Sequence, residues 1–384
     1  MKSLRAFGLR FDLPRLPIRK EIDLADLTTR AQREDGTLAP DALHIMAPKE
    51  FWVPLPAAVP GKLVEGTLPD DHYARFTLRL PKDWNGRLVV AGASGITDER
   101  TYDLYFSDYL LSRGYAFAAT DKGVRRAVLD GDTVLMPLIP ESSLRRWASR
   151  LEDLARFAGA EVLAHYGRRP EKTYAVGLSN GGFLARKAAE SGSGLFDGAL
   201  EVSGVLWSVE HNLLRQLPAA LRGDIEGAGF PAGVGRWAPV RALYRQLYWE
   251  AVLQMFVCDL DPGYNGAAED YDLDARPASV REAIRAFGNT GDLKVPLISI
   301  AGDHDFLISC RGHARAYGDL IASRGKSALH ELIVVENASH IDTNRETYDF
   351  IPPLMPRAHE AFERLAARVE APAGATEPSS PRRR

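Results

Sequence analysis

Cysteine is almost missing from this chain: its 384 residues include only Cys258 and Cys310. A disulfide framework is therefore excluded, and two buried thiols are the expectation. An excess of charge is also lacking, since 48 Lys and Arg stand against 51 Asp and Glu for a formal net charge of −3. That balance offers no basic face for a nucleic-acid partner. No stretch approaches the ~18 apolar residues that span a bilayer. The first ten residues lack the apolar run of a signal peptide, and charges recur at Arg19, Lys20 and Glu21. The reading is a soluble, cytoplasmic protein with no membrane partner. Metal-ligand spacing is missing as well. Asp303-His304-Asp305 is too compact for a metal cluster and reads better as a turn. No metal and no cofactor are expected.

Apolar residues are plentiful at 45%, enough for a sizeable core, and the length suits one large α/β domain with an insertion or two smaller ones. Residues 1–61 carry mixed charge and prolines without a sustained period, and read as a segment wrapping over the main domain. Residues 62–68 and 73–80 flank a Pro69-Asp70-Asp71 turn and predict an antiparallel hairpin at the sheet edge. Continuous apolar runs at 87–91, 115–120, 173–176, 198–203, 296–301 and 330–335 read as buried parallel strands. Helical spacing is expected over 102–113, over 144–162 with a stop near Gly167, and over 356–369. This alternation predicts a mainly parallel central sheet with helices on both faces, formed by 62–204 and 294–370.

Residues 205–293 break the alternation, with helices and loops but no strand. Val240–Phe256 predicts a helix with Leu243, Leu247 and Ala251 on one stripe and Tyr244, Tyr248, Val252 and Met255 beside it. A second helix, 279–287, starts with a Ser279–Glu282 capping box. Three of the six tryptophans fall in this segment, Trp207, Trp237 and Trp249. Two readings compete: an aromatic-packed subdomain, or a lid whose Trp207, Trp237 and Tyr248 touch substrate. The lid is favoured because the insertion leaves from the carboxyl ends of the strands, where ligands of open α/β sheets bind. The glycines of 227–233 do not form a phosphate loop, since no strand precedes them and no helix follows at once. The tail 371–384, rich in Pro, Ala and Ser, reads as disordered.

The chain is organised around Gly177-Leu178-Ser179-Asn180-Gly181. Preceded by a strand and followed by a helix, Gly-x-Ser-x-Gly is a nucleophile elbow. The serine sits in a strained turn whose neighbours must lack a Cβ, at a helix N-terminus that favours developing negative charge. A serine hydroxyl needs a base, and the base an orienting acid. His340 stands in the loop after the last strand, whereas His165, His313 and His359 fall on expected helices. Asp303 and Asp305 both follow the 296–301 strand and compete for the acid role. Two N–H donors must meet the oxyanion. Asn180 supplies one, and Ala93 or Ser94, in the small-residue loop after 87–91, the other.

In its chain order of Ser179, acid and His340, and in its elbow, the sequence resembles the α/β-hydrolases over roughly 62–369. The run Leu80-Pro81-Lys82-Asp83-Trp84-Asn85-Gly86-Arg87 further resembles the tannase and feruloyl-esterase-like enzymes. The resemblance implies an α/β-hydrolase fold with a helical lid. Its pattern Gly-x-x-Asp-x-x-apolar after the acid strand selects Asp305, with Asp303 and His304 shaping the turn. Those enzymes often carry a cysteine before the serine and another after the histidine, joined as a disulfide. Here the positions are Leu178 and Ile341. The expected activity is cofactor-free hydrolysis of a small-molecule carboxylic ester through an acyl-enzyme on Ser179. The rivals are the same triad acting on amide, thioester or carbon–carbon bonds, and a ligand-binding receptor that has kept the triad.

Overall fold

The computed structural model describes residues 19–36, 38, 49–124, 127–129, 132–134 and 142–371. Its frame is a nine-stranded sheet. In chain order the strands are β1 (Arg19–Leu24), β2 (Gly61–Leu68), β3 (Asp71–Pro81), β4 (Arg87–Gly92) and β5 (Ala116–Thr120), then a separate two-stranded hairpin of β6 (Ala127–Leu129) and β7 (Asp132–Val134). After these come β8 (Lys172–Leu178), β9 (Gly198–Val202), β10 (Leu297–Gly302) and β11 (His330–Val335). The order across the large sheet is β1-β2-β3-β5-β4-β8-β9-β10-β11. From β5 through β11 every pairing is parallel, and the first three strands join antiparallel.

The central strands are apolar on both sides because both faces are covered. Val89, Val90, Ala175, Val176, Leu200 and Ile300 are all buried. One face carries α3 (Trp147–Tyr166), which ends at Gly167 in the left-handed conformation (φ 73°), and α4 (Asn180–Glu190). The other carries α2 (Asp108–Leu111), running on from a π-turn at Asp103–Ser107, and α10 (Met355–Glu370). α9 (Ala316–Ser323) shares the core on the α3/α4 face, where Tyr317 meets Glu190 and Arg186, and a short α1 (Arg30–Asp35) has no buried residue.

Two expectations about the N-terminal part need correction. Residues 19–24 do not merely wrap the domain, because they pair with β2 in register Arg19↔Gly66 to Leu24↔Gly61. The β2–β3 hairpin is consequently internal, and β1 forms the edge. Its charges, Arg19, Lys20, Glu21 and Asp23, mask an apolar period and at the same time guard the open edge against pairing.

Residues 205–293 contain helices and no strand: α5 (Leu213–Leu221), α6 (Ala238–Tyr244), a π-turn at Arg245–Trp249, α7 (Glu250–Leu260) and α8 (Ala278–Phe287). The π-turn inserts one residue into the helical repeat. The buried face therefore steps from Val240 and Tyr244 to Trp249 and Leu253, leaving Leu247 48% exposed. The expected Leu243–Leu247–Ala251 stripe fails for this reason. Ser279 lies inside α8, whose N-cap is Pro277 with no side-chain cap bond, so the capping box is absent. Cys310 is buried as expected, but Cys258 is exposed on α7. The expected tail falls outside the described residues from 372 onward.

Candidate active site

The chain turns sharply after β8. Ser179 adopts φ 57°, ψ −118°, outside the conformations an L-residue prefers. It is held there by its N–H donating to Val202 O at 2.9 Å, while its carbonyl accepts from Phe183 N at 3.0 Å and Val205 N at 3.2 Å. A Cβ on Gly177 would lie 2.1 Å from Gly181 O, and one on Gly181 2.2 Å from both Gly92 O and Tyr102 Oη. Both positions therefore require glycine. Tyr102 was not anticipated from the sequence. Its buried hydroxyl accepts from Leu178 N at 2.9 Å and braces the elbow from behind.

The two aspartates after β10 separate by what they bind. Asp305, 1% exposed, accepts from Leu307 N at 2.7 Å and Ile308 N at 2.8 Å through Oδ1, and places Oδ2 2.6 Å from His340 Nδ1. Asp303 instead meets His304 Nδ1 and Asn337 N, each at 2.7 Å, and so ties the acid turn to the loop after β11. His340 is buried, and with Nδ1 engaged by Asp305 its Nε2 is left for a proton. It lines the same cavity as Ser179. Downstream, Asp342 accepts from Leu354 N at 2.7 Å and Met355 N at 2.9 Å, anchoring the His340 loop to the start of α10. Burial pushes the Asp342 carboxyl up to about 6.

Ser94 and Asn180 also line this cavity. Ala93 does not, because its N–H donates to Thr120 O at 2.9 Å as part of the sheet. Of the two residues offered for the second donor, only Ser94 lies on the cavity. Asn180 Nδ2 donates to Gly95 O at 3.3 Å and links the elbow to that loop.

The helical insertion forms the opposite wall with Tyr244, Tyr248, Val252, Met255 and Phe256. Of the three aromatic residues singled out for substrate contact, only Tyr248 lies there. Trp207 is fully buried, with ring centroids 4.9 Å from Phe256 and 5.6 Å from Phe287. Trp237 stacks on His304 at 4.3 Å and meets Phe350 edge-on. Both are core residues fastening the insertion to the sheet, a role their size fits equally well. A polar clasp does similar work. Gln216 of α5 donates to Leu307 O at 2.9 Å and sits 2.6 Å from His313 Nε2, whose Nδ1 accepts from Leu206 N at 2.9 Å. Burial, with the Arg186 guanidinium nearby, holds His313 well below the usual imidazole range, so it stays neutral. Among the described residues no group of three or more His, Cys, Asp or Glu is placed to hold a metal.

Comparison with known proteins bears on the same elements. Residues 62–223 match the model of the tannase and feruloyl esterase family. The tannin acyl hydrolase of Aspergillus niger superposes with a TM-score of 0.52 at 12% identity, covering 92% of this chain and 82% of that one. The fold is that of the α/β-hydrolases. Mono(2-hydroxyethyl) terephthalate hydrolase of Piscinibacter sakaiensis is 32% identical over 120 residues, 29% of this chain and 20% of that protein. A probable feruloyl esterase of Arthroderma benhamiae is 33% identical over 132 residues, 32% of this chain and 23% of that protein. The chain thus matches about a fifth of the length of these curated relatives. Its matched family segment carries the elbow and the Ser94 loop, and stops before the acid and the base.

Proposed function

We propose that the protein is a cofactor-independent serine hydrolase of small-molecule carboxylic esters. The observation that carries this reading is the buried Asp305–His340 contact of 2.6 Å opening on a cavity shared with Ser179. His340 Nε2 takes the proton from Ser179 Oγ as Oγ bonds to the ester carbonyl carbon. The oxyanion is met by the N–H groups of Asn180 and Ser94. The carbon–oxygen bond to the alcohol breaks, and His340 returns the proton to the leaving oxygen. Water, deprotonated by His340, then attacks the acyl-enzyme and releases the acid and free Ser179. Asp305 holds the imidazole with Nδ1–H towards itself and stabilises the imidazolium. The insertion at 205–293 serves as the lid, with Tyr248 against the substrate. We place the enzyme in the cytoplasm, where the exposed thiol of Cys258 would stay reduced.

The similarity of residues 62–223 to tannase and feruloyl esterase favours an ester over an amide. The test combines labelling by a fluorophosphonate with release of nitrophenol from short-chain nitrophenyl esters. Label on Ser179, with turnover lost by about 10⁴-fold or more in Ser179→Ala, is the expected result. A variant as active as the parent would refute the mechanism.

A further inference from the structure

We infer that the cavity at Ser179 selects esters whose acyl group is compact, uncharged hydrocarbon, and disfavours acyl groups that carry a carboxylate or phenolic hydroxyls. This rests on the ester-hydrolase reading for the chemistry, but the preference itself follows from the cavity wall. Among the described residues no Asp, Glu, Lys or Arg lines it. Hydrocarbon dominates the wall, from the sheet side through Leu178, Val205 and Ile341 and from the insertion through Val252, Met255 and Phe256.

The polar groups present are gathered around the nucleophile and largely engaged. Thr97 Oγ1 donates to Ser94 O at 2.7 Å, Asn180 Nδ2 donates to Gly95 O, and His340 Nδ1 faces Asp305. The Tyr244 hydroxyl accepts from Asn344 Nδ2 at 2.6 Å. Tyr248 brings a further hydroxyl on a half-buried ring. A carboxylate on the acyl group would lose its water here and meet no counter-charge among the described residues. Ring hydroxyls would lose theirs for few partners, chiefly the Tyr248 hydroxyl and the buried, unpartnered Ser94 Oγ.

Size points the same way. The cavity measures about 110 Å³, somewhat below the ~150 Å³ at which an apolar protein cavity takes up benzene. We assign the half of the substrate that stays on Ser179 to this partly open space. A butanoyl-sized group fits that description.

Matched pairs separate charge and hydroxylation from size. The nitrophenyl ester of butanoic acid should exceed that of hemisuccinic acid, which has the same chain length plus a carboxylate, by at least ~100-fold in kcat/KM. The benzoate ester, itself expected to be slower than the butanoate, should still exceed its trihydroxy counterpart by at least ~10-fold. Ratios near one in both pairs would overturn the inference. Val252→Arg should raise the relative rate on the hemisuccinate ester at least ~10-fold, and an unchanged ratio in the folded variant would count against it. Should that variant not fold, the wild-type ratios decide. Thermal stabilisation of Ser179→Ala by ethyl butanoate but not by monoethyl succinate tests the wall without turnover. Selective stabilisation in a protein that hydrolyses no ester would remove the proposed reaction and keep the cavity preference. Equal stabilisation by both would remove the preference and keep the reaction.

Discussion

The two halves of the cavity are built in contrasting ways. On the sheet side, chemistry-bearing residues sit in short loops just beyond strand ends, and strain concentrates there. The four non-glycine residues with positive φ among the described residues, Lys122, Ser179, Ser203 and Asn337, each lie within two residues of the carboxyl end of β5, β8, β9 or β11. The insertion has none of them. Its wall is ordinary helix interrupted by one π-turn, presenting hydrocarbon and tyrosine. Strained loops fix a few polar atoms where a reaction needs them, at a cost of order 1–3 kcal/mol each. Relaxed helices shape volume. On the proposed reading, catalysis and selection occupy separate elements and should be separable by mutation.

The largest effect that would break this comparison belongs to the acid turn. Asp305→Asn should lower kcat by about 10³–10⁴-fold, since an amide no longer enforces the productive imidazole tautomer. Asp303→Asn should cost less than about tenfold, because Asp303 only joins two loops through His304 and Asn337 N. Steady-state kinetics on one nitrophenyl ester decides between them. The reverse ranking would exchange their roles.

Legibility from sequence follows the same division. Strand ends were readable because a parallel strand buried on both faces is a continuous apolar run, as in β5 and β9; β11 also appears at 330–335, though as the half-buried edge strand at the far side of the sheet. The candidate elbow, acids and base could be placed because each follows such a run closely, but the choice of Asp305 over Asp303 came from the family resemblance and not from the run. β1 was not, since an edge strand alternates charge with half-buried apolar residues and mimics loop. The second oxyanion donor was undecided because Ala93 and Ser94 differ only in whether the backbone N–H is already spent on Thr120 O. In the insertion, the π-turn at 245–249 shifts the helical phase, and no periodicity argument detects a single inserted residue. Trp207 and Trp237 were misplaced for a further reason: burial in a core and contact with a ligand both favour large aromatics.

Trp207→Ala sharpens the contrast between wall and core. Removing a fully buried indole packed on Phe256 and Phe287 should cost about 3–5 kcal/mol in denaturant unfolding. At temperatures where the variant stays folded, its ranking of esters should match the parent's. A changed ranking would return Trp207 to the substrate wall.

Acid should test the sheet core by another route. Burial depresses His359 on α10 and His330 on β11 to about 4, against about 6.5 in an unfolded chain. Between these values the unfolded state binds the extra proton, so their contribution to stability is full above pH 6.5 and is lost as pH falls towards 4. For His359 the lowering comes from burial beside Tyr109, on which it stacks at 3.9 Å, while Nε2 donating to Tyr105 O at 2.5 Å pulls the other way. Asp103 and Asp342, both raised by burial to about 6, act in the opposite sense, losing stability as pH rises through 6. The difference between parent and His359→Phe therefore isolates the imidazole. The parent should lose ~2–3 kcal/mol more than the variant between pH 6.5 and 4. Parallel stability curves would mean that His359 titrates normally.

The smallest effect bears most directly on whether catalysis and selection divide as described. Tyr248 is the one proposed substrate contact of the three that lines the cavity with Ser179, and it is half-buried on the insertion. Its ring supplies area and no proton to the reaction, so Tyr248→Ala should leave the rate of fluorophosphonate labelling at Ser179 within about threefold. The widened cavity should admit longer acyl chains, moving the ratio of octanoyl to butanoyl hydrolysis up by about tenfold, the scale on which a hydrophobic pocket discriminates one or two methylenes. Loss of labelling and hydrolysis together, with the ratio unchanged, would mean that this helix positions the catalytic groups as well as the substrate, and the division between loops and insertion would fail at that residue.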